Sequence, residues 1–107
     1  SNNQSKFRFN VLKRYGAKCA ICNLKNKHML DAAHIIPVDE DGTDDPRNGL
    51  ILCKNHHAAF DRNLFVINSN DYSIDVLEHD INISEVKLNT GTGQLPHKLA
   101  INYRFKA

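Results

Sequence analysis

No stretch of this sequence approaches the roughly 20 consecutive apolar residues that a membrane-spanning helix needs, so none is expected. Ser1–Ser5 is polar, and the opening residues lack the charged-then-apolar pattern of a secretory signal peptide. Three cysteines cannot all pair with one another, which excludes a closed disulfide framework within the chain. Reduced thiols and a cytoplasmic address fit better. Internal repeats and low-complexity tracts are missing, and no linker divides the 107 residues, a length at which chains form one domain. Only 41% of the residues are hydrophobic, so the core must be thin.

Acidic residues are missing from the first 30 positions, which carry Lys6, Arg8, Lys13, Arg14, Lys18, Lys25 and Lys27. The next 20 positions reverse this, with Asp31, Asp39, Glu40, Asp41, Asp44 and Asp45 against Arg47 alone. The net charge of +2 hides that asymmetry. A basic N-terminal third is an electrostatic footprint suited to nucleic acid, although a solvated helix face has the same composition.

Phe7, Val11, Leu12 and Tyr15 share one face at helical spacing and Gly16 is a natural stop, which predicts a helix over Lys6–Tyr15 with its bases toward solvent. Met29–Ile36 is short, apolar and closed by Pro37, as a strand would be. The acidic segment 38–48 holds Gly42, Pro46 and Asn48 and reads as a loop. Leu50–Leu52 returns as a second strand, and Lys54–Arg62 suits a short helix. Leu64–Ile67 and Tyr72–Leu77 have strand composition, with Phe60 and Phe65 in the core. A last helix is expected over His97–Phe105, while His79 and His97 are read as surface residues.

Cys19-x2-Cys22 and Cys53-x2-His56 form two knuckles with 30 residues between them. Zinc favours four thiolate and imidazole donors in a tetrahedron, and each short turn presents two of them on one side. The set uses all three cysteines. His28 is an alternative fourth ligand, but the spacing of His56 from Cys53 repeats that of the first knuckle. With four protein ligands the site is structural, and a metal contributing ~10 kcal/mol to folding explains how so small a core holds together.

A second group remains: His34, Asn48, His57 and Asp61. His57 and Asp61 are four apart on the predicted helix and project from one side. His56 and His57 are about 100° apart around it, so the two can serve different metals. Taken singly, each has an ordinary reading: His34 as a structural histidine, Asn48 as a turn residue, Asp61-Arg62 as a helix-end ion pair.

In their order these residues resemble a known family. Ala32-Ala-His-Ile-Ile-Pro37, Asp44-Asp-Pro-Arg-Asn-Gly-Leu-Ile-Leu-Cys53 and Asn55-His-His-Ala-Ala-Phe-Asp-Arg62 look like an HNH endonuclease domain of the ββα-metal (His-Me finger) fold. The restriction-endonuclease subgroup is the most similar, and the likeness covers about residues 19–67. It implies a small zinc-stapled ββα-metal domain, and with the N-terminal helix and the β-rich C-terminal extension read above the expected fold is α+β. It implies a single nuclease domain over 1–107, the C-terminal part of a larger restriction-type protein.

The resemblance also assigns roles. His34 would be the general base, for which an ordinary imidazole pKa of about 6.5 is suited. His57, with Asp61, would hold a Mg²⁺ or similar cation, and Asn48 would fix the loop that orients His34. The products would be a 5′-phosphate and a 3′-hydroxyl. Many family members carry an acid or a second histidine immediately before the base. Here that position is Ala33, so Asp61, or less directly Asp31, must supply the ligand.

DNA is the implied partner, with phosphates contacted by Lys6, Arg8, Lys13, Arg14, Lys18 and Lys54 and a targeting domain elsewhere in the full-length protein. The oligomeric state, a homodimer included, stays open. The rival readings are a zinc-ribbon-like DNA-binding module without catalysis, which Ala33 favours, and a zinc-stapled protein-interaction domain.

Overall fold

The computed structural model describes residues 2–106. Its first element is helix α1, Asn2–Tyr15. It begins four residues earlier than the apolar spacing predicts, because those residues add helical turns without adding to the apolar stripe. Gly16 ends it with φ +80°, and its amide donates to Leu12 O at 2.7 Å. That left-handed conformation is one glycine adopts without strain.

Strands β1 (Leu30–His34) and β2 (Gly49–Cys53) pair antiparallel, with Leu30 opposite Cys53 and His34 opposite Gly49. Every residue of β2 is buried, since α1 packs on it and so does helix α2, Lys54–Asp61. A strand covered on both faces has no polar side, which is why Leu50-Ile51-Leu52 is apolar without alternation. The connection from β1 to β2 carries two single 3₁₀ turns, Val38–Glu40 and Pro46–Asn48. Both strands are shifted slightly from their predicted bounds; pairing register, not composition, sets their ends.

Beyond α2, β3 (Phe65–Ile67) and β4 (Ile74–Val76) form a second antiparallel pair. β4 begins later than Tyr72 because Tyr72 is itself in a turn, with φ +61° and its amide on Asn68 O at 2.7 Å. Helix α3, Lys98–Phe105, lies against β3. Arg104 bolts it down: its guanidinium donates to Ile35 O (3.1 Å) and Phe60 O (2.6 Å) and covers the Phe60 ring. Phe60 and Phe65 are fully buried, while His79 and His97 are exposed. No helix among the described residues is long and apolar enough to cross a membrane.

Candidate functional site

The β1–β2 register places Cys53 at the start of α2, and the turn after α1 brings Cys19 and Cys22 to the same place. Donor atoms of Cys19, Cys22, Cys53 and His56 all lie within 4.8 Å of one another. His56 Nδ1 is 3.2 Å from Cys53 Sγ and 3.8 Å from Cys19 Sγ, and the Sγ atoms of Cys22 and Cys53 are 4.0 Å apart. A tetrahedron with zinc bonds of about 2.3 Å to sulfur and 2.0 Å to nitrogen has edges of roughly 3.5–3.8 Å, so the donor set fits a metal of that size. Burial pushes the Cys53 thiol up to about 11, and the other two sulfurs push it the same way. A thiol that resists ionising alone is one that a divalent cation would stabilise as a thiolate.

His56 Nε2 is 2.9 Å from Asn82 O. The carbonyl can only accept, so Nε2 carries the proton and Nδ1 keeps its lone pair toward the sulfurs. Sequence spacing could not find Asn82, which reaches the site from the C-terminal extension. His28 is exposed, in another 3₁₀ turn, Lys27–Met29, and is no member of the cluster.

The second constellation gathers near β1, which carries Asp31 and His34. His34 and His57 line one cleft together with Asp31 of β1 and Phe7 of α1. The His34 ring stacks on Phe7, with centroids 3.8 Å apart and planes 4° from parallel. Asp44 Oδ1 lies 2.9 Å from His34 Nε2. Asn48 is buried, and its carboxamide accepts from Ile36 N (2.9 Å) and donates to Ile36 O (3.1 Å) and Thr43 O (2.9 Å). Its side chain therefore closes the base of the loop that follows His34.

His57 stands between two carboxylates. Its Nδ1 is 2.9 Å from Asp31 Oδ2 and its Nε2 is 3.5 Å from Asp61 Oδ2. Asp31 also pairs with Lys54. Burial would raise the Asp31 pKa, but the hydrogen bonds from Lys54 and His57 prevail and hold it below the ordinary carboxylate range. Asp61 lines a different hollow, with Pro37, Glu40 and Arg104. Ala33, two residues from Asp31 and so on the same strand face, is buried.

The profile of the HNH endonuclease family matches residues 19–68, from the first knuckle through α2 and β3. Over those residues the chain is similar to HNH endonuclease domains. Among solved structures, the modification-dependent TagI restriction endonuclease matches with a TM-score of 0.70 at 20% identity, over 94% of this chain and 36% of that one. The chain thus spans little more than a third of that protein, and at such identity the likeness is one of fold. A comparison with curated protein sequences gave no match. The expected α+β architecture, a ββα unit preceded by a helix and followed by a short second sheet, is present.

The bases in and around residues 19–68 do not form one uniform surface. Lys18 corrects the sequence reading. It is buried, and its ammonium donates to Cys19 O (2.8 Å), Cys22 O (3.1 Å), Asn89 O (2.6 Å) and Glu85 Oε2 (3.1 Å). Four acceptors saturate it, so it staples the C-terminal extension to the first knuckle and has no donor left for a phosphate. Arg8 is partly committed to Leu30 O and Lys27 O, and Arg14 to Leu95 O. Lys6 and Lys13 are exposed along α1.

Proposed function

We propose that this HNH domain hydrolyses DNA phosphodiester bonds with a divalent cation, as the cleavage module of a restriction-type protein whose target choice lies in another domain. The observation that carries this reading is the single cleft shared by His34, His57 and Asp31. It sets one imidazole beside an imidazole–carboxylate pair.

His34 accepts the proton of the water that attacks phosphorus, the bond to the 3′ oxygen breaks, and that oxygen takes a proton from solvent, leaving a 5′-phosphate and a 3′-hydroxyl. His57 Nδ1 and Asp31 Oδ2, already 2.9 Å apart, would hold the cation. That separation also suits neighbouring positions in an octahedral shell with bonds of about 2.1 Å. When bound, the cation would supply charge stabilisation at the departing oxygen. Asp61, on the other nitrogen of His57, would then accept from Nε2–H and orient the ring. Cys19, Cys22, Cys53 and His56 would hold a structural zinc with no position open to substrate. Lys6, Lys13 and the exposed parts of Arg14 and Lys54 would contact phosphates, which position DNA without reading its sequence.

Plasmid nicking in Mg²⁺, Mn²⁺, Ni²⁺ or EDTA tests the reading. Divalent-dependent nicking is expected, with His34→Ala folded, DNA-binding and slower by roughly 10²–10⁴. A wild-type chain that never nicks with any divalent ion, even joined to a cognate targeting domain, would make it a binding module instead.

A further inference from the structure

A general base works only if its ring is held in one plane and one tautomer, and the residues doing this for His34 lie outside the motif. We propose that Asp44 and Phe7 are positioning residues for His34, fixing its proton on Nε2 and so making Nδ1 the nitrogen that accepts a proton. The proposal rests on the reading of His34 as the general base.

The tautomer follows from donor and acceptor chemistry. Asp44 Oδ1 is 2.9 Å from His34 Nε2. A carboxylate accepts hydrogen bonds and cannot donate them, so the neutral ring must carry its proton on Nε2 and its lone pair on Nδ1. Asp44 is not among the residues lining the cleft that holds His34, His57 and Asp31. It grips the ring from outside.

The plane follows from stacking. Phe7 lies 3.8 Å from the imidazole at an interplanar angle of 4°. The flat contact stops the ring from tipping, and the Asp44 bond stops it from turning within its plane. Neither restraint alone does both. Gly49 makes the stack possible, because a Cβ there would lie 2.9 Å from Phe7 Cζ. Asn48 acts one step further back: it donates to Thr43 O (2.9 Å), the carbonyl that joins Thr43 to Asp44. Its influence on His34 therefore runs through the position of Asp44. Phe7 lies outside residues 19–68, so the helix before the HNH domain completes the base.

The test is long-range ¹H–¹⁵N NMR of the histidine rings in the zinc-loaded chain, with His34 assigned by the loss of its signals in His34→Ala. The wild type should show His34 as the Nε2–H tautomer. Asp44→Ala should mix the tautomers and slow nicking by on the order of 10–100-fold, the usual effect of removing a group that orients a functional histidine. Asp44→Glu should restore the tautomer and part of the rate. Finding Nδ1–H in the wild type overturns the proposal. So does an Asp44→Ala chain that keeps both tautomer and rate while His34→Ala is inactive. If His34→Ala nicks as fast as the wild type, the general-base reading has failed, and the NMR result still decides whether Asp44 sets the tautomer.

Discussion

Gly49 sits opposite His34 in the β1–β2 pair, and a Cβ at Gly49 would come within 2.8 Å of Val11 Cγ2 and 2.9 Å of Phe7 Cζ. Its φ of −134° is open to any residue, so the requirement for glycine here is room. Gly49→Ala should push α1 away from the sheet and cost about 1–3 kcal/mol, the range for overpacking a core. Urea unfolding of the zinc-loaded chain measures it. An unchanged midpoint would mean that Phe7 and Val11 move aside freely.

The adjacent histidines of α2 should separate in their effects. His56→Ala or Cys53→Ser should lose the bound zinc and unfold the chain, because structural zinc contributes on the order of 10 kcal/mol to such folds. His57→Ala should keep about one zinc per chain and its circular dichroism while losing divalent-dependent nicking. Elemental analysis beside a nicking assay gives both readouts. Zinc loss in His57→Ala would reverse the assignment.

Asp31 and Asp61 flank the same imidazole from opposite sides, at 2.9 and 3.5 Å. Asp31→Asn should raise the Mg²⁺ concentration needed for half-maximal nicking by at least about tenfold. Asp61→Asn should raise it less, since losing an outer partner costs affinity only indirectly. The opposite order would place the cation on His57 Nε2, beside Asp61.

Lys18 and Lys13 should behave differently despite being alike in sequence. Lys18→Ala leaves buried carbonyls without a donor and should destabilise the chain by roughly 1–3 kcal/mol, with the salt dependence of DNA binding unchanged. Lys13→Ala should leave stability alone and reduce the slope of log K against log salt by about 1 if it meets a phosphate. Fluorescence anisotropy across a salt series separates them.

Asp45 sets an acid limit on the turn that carries Asn48. Its side chain hydrogen-bonds Arg47, first through the guanidinium and also through the backbone amide, and its pKa is lowered to about 2. A carboxylate whose pKa falls on folding stabilises the native state above its unfolded pKa of about 3.9, and loses that contribution as pH drops through the folded value. The wild type should therefore exceed Asp45→Asn in stability by a constant amount near neutrality. The gap should close between about pH 4 and pH 2. A gap that persists below pH 2 would assign the effect to packing.

The two knuckles, the ββα order and the order His34, Asn48, His57 were legible because each is local. C-x2-C, C-x2-H, the i,i+4 pair on α2 and the apolar stripe Phe7–Val11–Tyr15 are spacings that any fold of this backbone must respect. The choice of His56 over His28 also followed from spacing, and the structure brings His56 into the cluster. What spacing could not convey was which partner lies across the fold. Lys18 reads as one more surface base until Glu85 and Asn89 arrive from about 70 residues away to enclose it. Asp44 reads as one acid of an acidic loop until the loop folds back on His34. Asn82, Arg104 and Phe7 carry no motif; each matters only because the C-terminal extension or α1 packs against the HNH unit. The sequence by itself thus determined the donor types and the elements that bear them. Tertiary structure alone decided which charges are saturated, which carboxylate shares the cleft with His34, and which nitrogen of His34 and of His56 meets an acceptor. Such choices depend on contacts between distant segments, and a short-range pattern holds no information about those distances.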